Sequence, residues 1–512
     1  MWYIGAILSA EEGAVEEYNL LVVSDLHLSE GLDPASAKLS RMEDFFFDDA
    51  FARFLRYHEE VKEQPRFGGR PWLLIINGDL FDFLQVVSLP QEGRLLRTVK
   101  GGIEHHKELR INERDYGLGT TAGESEWKLQ QIARGHQRFF AALGRFAAHG
   151  NHVVLLQGNH DIELHWPRVQ RRFVAEIRRA YARERRMLGE GPPITLEECQ
   201  TRVHFYPWFY HEPGRVYVEH GGQYEAANRF RDYLNPAMLD NPEHIELPWG
   251  SLFVRYLFNK LEEVHPFADN VKPITRYLGW ALRKDPVGTI EVLLTKGFVF
   301  SRAFWNVTRK TVASTRHSAQ SEVRVEQPSS VPLPLEVVKE IAALAQRRVD
   351  ASWREWVFSA VQSLLSTLSL IIVLTFVFLA GMTLANNPSW IAVVYLGAAV
   401  LAFFLRRGLK RTFASLSTDD YLLQVARELE QTLKPDHAVH YIVLGHDHHA
   451  ALERLEQAWY VNTGAWVPVY EREGPVEGRE ELTFFRLAWG HKGAPELLRW
   501  DDAAGAPARA ML

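Results

Sequence analysis

Eight residues stand where runs of β-prone residues end: Asp25, His27, Asp79, Asn159, His160, His220, His446 and His448. They are carboxylates, an amide and imidazoles. Mixed oxygen and nitrogen donors suit Mn, Fe or Zn better than Ca or an all-oxygen Mg site. Asp25 and His27 are spaced i, i+2, as are His446 and His448, and in extended chain such pairs project to one side. So many donors are too many for one ion and about right for two. A carboxylate can bridge two ions about 3.5–4 Å apart, and such a pair lowers the pKa of bound water and clamps a phosphoryl group for in-line displacement. The tetrapeptide Gly158-Asn159-His160-Asp161 concentrates this chemistry. Gly158 lets the chain turn sharply, Asn159 offers a carbonyl oxygen, and His160 can handle a proton or a developing charge.

The residues need strands to present them. Tyr18 to Ser24, Pro71 to Asn77, His152 to Gln157, Arg215 to Glu219 and His440 to Leu444 read as buried strands, each running into one of the motifs. Trp459 to Asn462 and Leu482 to Leu487 read as closing strands. Arg41 to Glu63, Glu126 to Ala148 and the Arg-rich stretch Arg168 to Arg186 have helical patterning, the last as a solvated face. Pro90 to Thr121 reads as a loop insertion. Strands separated by helices imply an α/β architecture with partly parallel sheets. In such sheets ligand groups gather at strand C-termini, where the loops diverge. His105, His106, His149, His204, His211 and His449 lack matching context and read as solvated or hydrogen-bonded.

The chain has 512 residues and a net charge of −6, which argues against a general nucleic-acid binder. Its single cysteine, Cys199, excludes an internal disulfide and a cysteine-based metal site. Met1 to Ala10 is apolar without a basic n-region and does not read as a signal peptide. Gln223 to Ala345 is a long, mainly helical insertion, with Ser314 to Pro334 as a polar linker. Val357 to Leu405 contains no charged residue. Its two apolar runs, Val357 to Leu384 and Trp390 to Leu405, flank Asn386-Asn387-Pro388-Ser389, as in a two-helix transmembrane hairpin. Arg347, Arg348 and Arg354 precede it, and Arg406, Arg407, Lys410 and Arg411 follow it. The positive-inside rule puts both ends in the cytoplasm. An even number of crossings also leaves the motifs on either side free to meet in one site.

Asp25-Leu26-His27, Gly78-Asp79, Gly158-Asn159-His160-Asp161, His220-Gly221 and Gly445-His446-Asp447-His448 together resemble, in order, the five blocks of the calcineurin-like metallophosphoesterase superfamily. The resemblance covers residues 18–222 and 436–500. It implies an αββα sandwich and an enzyme with two divalent metal ions, Mn first and Fe or Zn as alternatives. By this resemblance Asp25, His27 and His448 would hold one metal, and Asn159, His220 and His446 the other, with Asp79 bridging. His160 would stabilise the transition state or protonate the leaving oxygen, and Asp161 would orient it. Asp79-Leu80-Phe81-Asp82 and the membrane segment are similar to bacterial enzymes that cleave UDP-2,3-diacylglucosamine. Those enzymes carry Arg where this chain has His160, and they lack a membrane hairpin.

The expectation is therefore a membrane-anchored phosphohydrolase with a cytoplasmic catalytic domain. Residues 1–222 and 412–512 would form that domain, interrupted by the 223–345 insertion and the 346–411 hairpin with its basic flanks. A lipid-linked substrate is the specific extension. A soluble nucleotide or phosphoprotein is the plain alternative, and a non-catalytic metal-binding membrane scaffold is the alternative from another class. No nucleic-acid partner is expected.

Overall fold

The computed structural model describes residues 17–259 apart from 34–35, 37, 91–95, 101–102, 108–110, 191–193 and 226. It also describes isolated positions between 280 and 291, residues 333–345, and residues 421–510 apart from 435 and 471–477. The hairpin expected over Val357 to Leu405, the Met1 to Ala10 segment and all but the last two residues of the Ser314 to Pro334 linker lie outside the described residues. Among the described residues no helix is long and apolar enough to cross a membrane.

In chain order the elements that build the site are β1 (Asn19–Val23), α1 (Asp48–Val61), β2 (Trp72–Asn77), α2 (Ala122–Gly135), α3 (Gln137–Ala148), β3 (His152–Leu156) and α4 (Pro167–Met187). Then come β4 (Val203–Tyr206), β5 (Phe209–Glu212), β6 (Val216–Glu219) and α5 (Trp249–Phe253). After residue 420 follow α6 (Tyr421–Thr432), β7 (Tyr441–Leu444), β8 (Ala450–Arg454), β9 (Trp459–Thr463), β10 (Thr483–Leu487), β11 (Glu496–Asp501) and β12 (Ala506–Arg509).

Two mixed sheets result. The seven-stranded sheet runs β12-β11-β10-β1-β2-β3-β4, and the five-stranded sheet runs β8-β9-β7-β6-β5. Strands β1 to β4 are mutually parallel, as are β6, β7 and β9. These strands are buried on both faces, which explains why they read as continuous apolar runs instead of alternating ones. Leu20, Val22, Leu73, Ile75 and Val154 pack against Val216, Val218, Val443 and Val461 between the sheets. The alternate residues Leu21, Val23, Leu74 and Ile76 pack on the outer helices with Phe51, Phe54, Phe140 and Phe173. On the other side, Tyr217, Ile442 and Leu444 of the small sheet meet Leu422, Val425 and Leu429 of α6 and Val338, Ile341 and Leu344 of residues 335–345. The expected αββα layering is thus present in the packing.

Two local readings differ. The helix expected over Glu126 to Ala148 is two helices broken at His136, whose φ is −112° and ψ 45°. Its buried ring reaches Asp48 (2.9 Å) and Glu43 (3.1 Å), and that ion-pair geometry outweighs helical continuity. The Pro90 to Thr121 stretch holds an antiparallel ribbon, Leu96–Lys100 with Ile103–Lys107, and a short helix, Ile111–Tyr116.

Candidate metal centre

All five motifs fall at strand exits on the same edge of the sandwich. The exits of β1 and β2 are tied together: Leu26 and His27 each donate their amide to the Asp79 carbonyl at 2.9 Å. The backbone there is strained. Asp25, His27, Asp79, His446 and His448 have φ between 49° and 76°, and only Leu482 joins them among described non-glycine residues with positive φ. Left-handed backbone at non-glycine residues costs energy and gathers where function fixes a side chain. Two glycines make room for the cluster. A Cβ on Gly158 would stand 2.0 Å from Asp79 Oδ1, and one on Gly78 would stand 2.6 Å from the His220 ring.

The donor atoms converge. His27 Nε2 and His448 Nε2 lie 3.2 Å apart, and Asp25 Oδ1 is 3.3 Å from His448 Nε2. In the neighbouring group His220 Nε2 is 3.1 Å from Asp79 Oδ2, 3.2 Å from Asn159 Oδ1 and 3.3 Å from His446 Nδ1. Asp79 Oδ2 also faces His27 Nε2 at 3.9 Å, so one carboxylate oxygen stands between the two groups. Three sets of possible metal ligands overlap here: Asp25 with His27 and His448, Asp79 with His220 and His446, and His27 with Asp79 and His160. Separations of 3.1–3.3 Å suit donor atoms that share an ion at about 2.0–2.2 Å. Asp25 Oδ1, buried and without a hydrogen-bond partner, points the same way. The residues fit divalent metal ions.

Second contacts fix the rings. His220 Nδ1 lies 2.9 Å from the Asn77 carbonyl, so Nδ1 carries the proton and Nε2 turns to the cluster. His446 does the reverse: its Nε2 lies 2.7 Å from Glu225 Oε2, leaving Nδ1 toward His220. Behind His220, buried Glu219 accepts from Trp208 Nε1, Tyr217 Oη and Tyr224 Oη at 2.6–2.9 Å.

Charges balance within the site. Burial works to raise the Asp25 and Asp79 carboxyls, but the facing imidazoles, His220 first, hold both well below the usual carboxylate range. Burial likewise works to lower His220, yet Asp79 and Asp25 push it up to about 9. Burial, with Asp79 adding to it, raises Asp161 to about 7.

His160 lies beside the cluster, with its ring edge-on to His27 at 4.7 Å between centroids. Its orienting carboxylate is a correction. Asp82 Oδ2 sits 2.6 Å from His160 Nδ1, whereas Asp161 accepts from the amides of Gly158 (2.7 Å) and Leu80 (2.8 Å). Asp161 comes one residue after His160 and turns back toward the loops around Asp79. Asp82 is delivered from across the site, because its own amide donates to Leu28 on the β1 exit. The second carboxylate in Asp79-Leu80-Phe81-Asp82 was the signal for it. Glu225 had no such signal, because it lies beyond the His220 motif in the insertion. Among the remaining histidines, His211 and His449 contact backbone carbonyls, His149 pairs with Glu59, and His204 stacks on His152.

An α/β sandwich with clustered Asp, Asn and His at its strand exits defines a metal-dependent hydrolase class. The model of the calcineurin-like phosphoesterase family matches residues 18–286, and the chain belongs to that family. It is a metal-dependent phosphoesterase. No curated protein and no solved structure matches the chain. The family match ends before β7, yet His446 and His448 complete both ligand groups from the exit of that strand.

Proposed function

We propose that the chain is a membrane-anchored, two-metal phosphohydrolase that cleaves a phosphoester or pyrophosphate bond, with Mn as the leading metal and a lipid-linked substrate. The position of Asp79 Oδ2 between His27 and His220 carries the two-metal reading. Asp25, His27 and His448 would hold one ion, Asn159, His220 and His446 the other, and Asp79 would bridge. Bound there, the ions would supply a nucleophile at neutral pH and neutralise charge on the phosphoryl group. His160 donates a proton to the leaving oxygen from Nε2, and Asp82 at Nδ1 stabilises the resulting charge and fixes the ring.

Support for the membrane part is the uncharged run Val357 to Leu405 with its basic flanks. Residues 1–222 and 412–512 form the catalytic domain in this reading, with 223–345 inserted and the site on the cytoplasmic side. The test is Mn²⁺-dependent hydrolysis by detergent-purified protein, with Asp79→Ala as the blank. A lipid-linked nucleoside diphosphate is compared with soluble phosphomonoesters and diesters. Preference for the lipid is expected, and preference for a soluble ester would reduce the hairpin to an address.

A further inference from the structure

A second polar cluster adjoins the reaction centre and has no role in holding metal. Its roof is the insertion, where α5 continues into a π-helical turn, Val254–Phe258. Such turns are uncommon and recur at functional sites. Ser251, Arg255 and Asn259 are spaced i, i+4, i+8 on one helix face, and all three are buried. The roof is pinned over the catalytic loop. Asn259 Nδ2 donates to the Leu84 carbonyl (2.7 Å), and the Leu84 amide donates to Asp82 (2.9 Å), the partner of His160. Arg255 Nη2 donates to the Gly117 carbonyl (2.8 Å).

Ser125 and Lys128 of α2 and Glu163, three residues after His160, complete the cluster, all buried. Lys128 Nζ stands 4.0 Å from Glu163 Oε1, beyond hydrogen-bond reach. Both Glu163 oxygens, Ser125 Oγ, Ser251 Oγ, Arg255 Nε and Asn259 Oδ1 are buried without a hydrogen-bond partner. Buried polar groups are nearly always paired, and an isolated structural ion pair does not explain so many unmet groups along these neighbouring segments, of which Lys128, Glu163, Arg255 and Asp82 act on one another. Burial lowers Lys128 to about 8 against the pull of Glu163, and burial raises Glu163 against the pull of Lys128. Arg255 and Asp82 act on both.

The chemistry of the unmet groups selects the ligand. Glu163 and Asn259 Oδ1 accept, Lys128 and Arg255 Nε donate, and the serines do either. The cations face Glu163 and Asp82, so no net positive charge is left for a second phosphate. A hydroxyl both donates and accepts, and several on one ring would meet this set. We propose that this cluster is the leaving-group subsite of the phosphoesterase, and that the alcohol it receives is hydroxyl-rich, a sugar or cyclic polyol. The inference rests on the phosphohydrolase reading, takes its phosphoester form and not the pyrophosphate one, and adds the substrate class.

The test uses the full-length, detergent-purified, Mn²⁺-loaded protein with two esters of matched ring size, glucose 1-phosphate and cyclohexyl phosphate. The wild type should favour the sugar ester by about 100-fold or more in kcat/KM, because sites built to bond hydroxyls reject analogues that lack them. Glu163→Gln and Lys128→Met should each cut that ratio by about tenfold, with Lys128→Arg restoring part of it. If Lys128→Met does not fold, Ser251→Ala and Asn259→Ala carry the comparison. Calorimetric binding of both esters to metal-free protein gives a second readout, with the same preference expected. Equal use of the two esters by the wild type, or an unchanged ratio in the variants, would mean that water alone fills the cluster and would overturn the subsite while leaving the phosphoesterase intact. Hydrolysis of neither ester, with the binding preference retained, would uphold the subsite and sink the hydrolase reading.

Discussion

At the scale of single residues, Asp79 and His160 separate metal binding from proton transfer. Asp79→Ala should lose metal and turnover together. His160→Ala should keep its metal and lose about 10²–10⁴-fold in kcat, the usual worth of a general acid. Metal analysis beside steady-state kinetics checks both, and equal metal loss would undercut the division. The two aspartates near His160 should divide likewise. Asp82→Asn should lower kcat with metal content kept, because Asp82 Oδ2 bonds the His160 ring at 2.6 Å and stands 3.8 Å from the His27 edge, beyond hydrogen-bond reach. Asp161→Asn should instead weaken metal retention, because its carboxylate ties the amides of Gly158 and Leu80 on either side of the bridging position. Glu225→Leu should cost about 10–100-fold in metal affinity through the lost hold on His446, read by metal titration without any substrate. The ligand types and their i, i+2 spacing were legible in the chain because each motif is local. The partners Asp82 and Glu225 were not assigned, because a hydrogen bond across the site depends on how two loops meet, and no spacing within one motif encodes that.

At the scale of elements, the break between α2 and α3 has a pH signature. Burial works against charge on His136, but Glu43 and Asp48 outweigh it and raise the ring from 6.5 to about 10. A raised folded pKa favours the protonated form. The stabilisation is therefore fully present below pH 6.5 and is lost as pH rises from there through about 10. Denaturant midpoints measured across that range should fall with pH in the wild type and much less in His136→Gln. Equal slopes would remove His136 as the cause. The strands were readable from the chain because burial on both faces makes them continuous apolar runs ending in polar motifs. The helix break was not, since residues 126–148 keep an apolar period through a position whose conformation is decided by residues of another segment. The ribbon at 96–107 was hidden for a related reason: strands stabilised by their own pairing need no apolar run.

At the scale of the whole molecule, residues 335–345 and α6 pack in one apolar layer that holds Leu344, Ala345, Leu422 and Val425. The residues on either side of 346–420 thus share one layer. Under the proposed membrane anchoring, deleting Val357 to Leu405 should release the protein from membranes while sparing hydrolysis of a small soluble diester, as measured by flotation and assay. Loss of that activity would make the segment part of the fold.

The strand order also sets a timetable. β1 leaves the ribosome first, yet its antiparallel neighbour β10 is residues 483–487, and β6 waits for β7 at 441–444. Until then both strands present unpaired edges, the form of nascent protein most prone to sticking to its neighbours. One member of each ligand group, His448 or His446, is likewise made last. If Val357 to Leu405 enters the bilayer as it emerges, the sheets close on a chain already tethered, away from other unfinished copies in solution. Chains that stop short of residue 441 should then be insoluble and unable to retain metal.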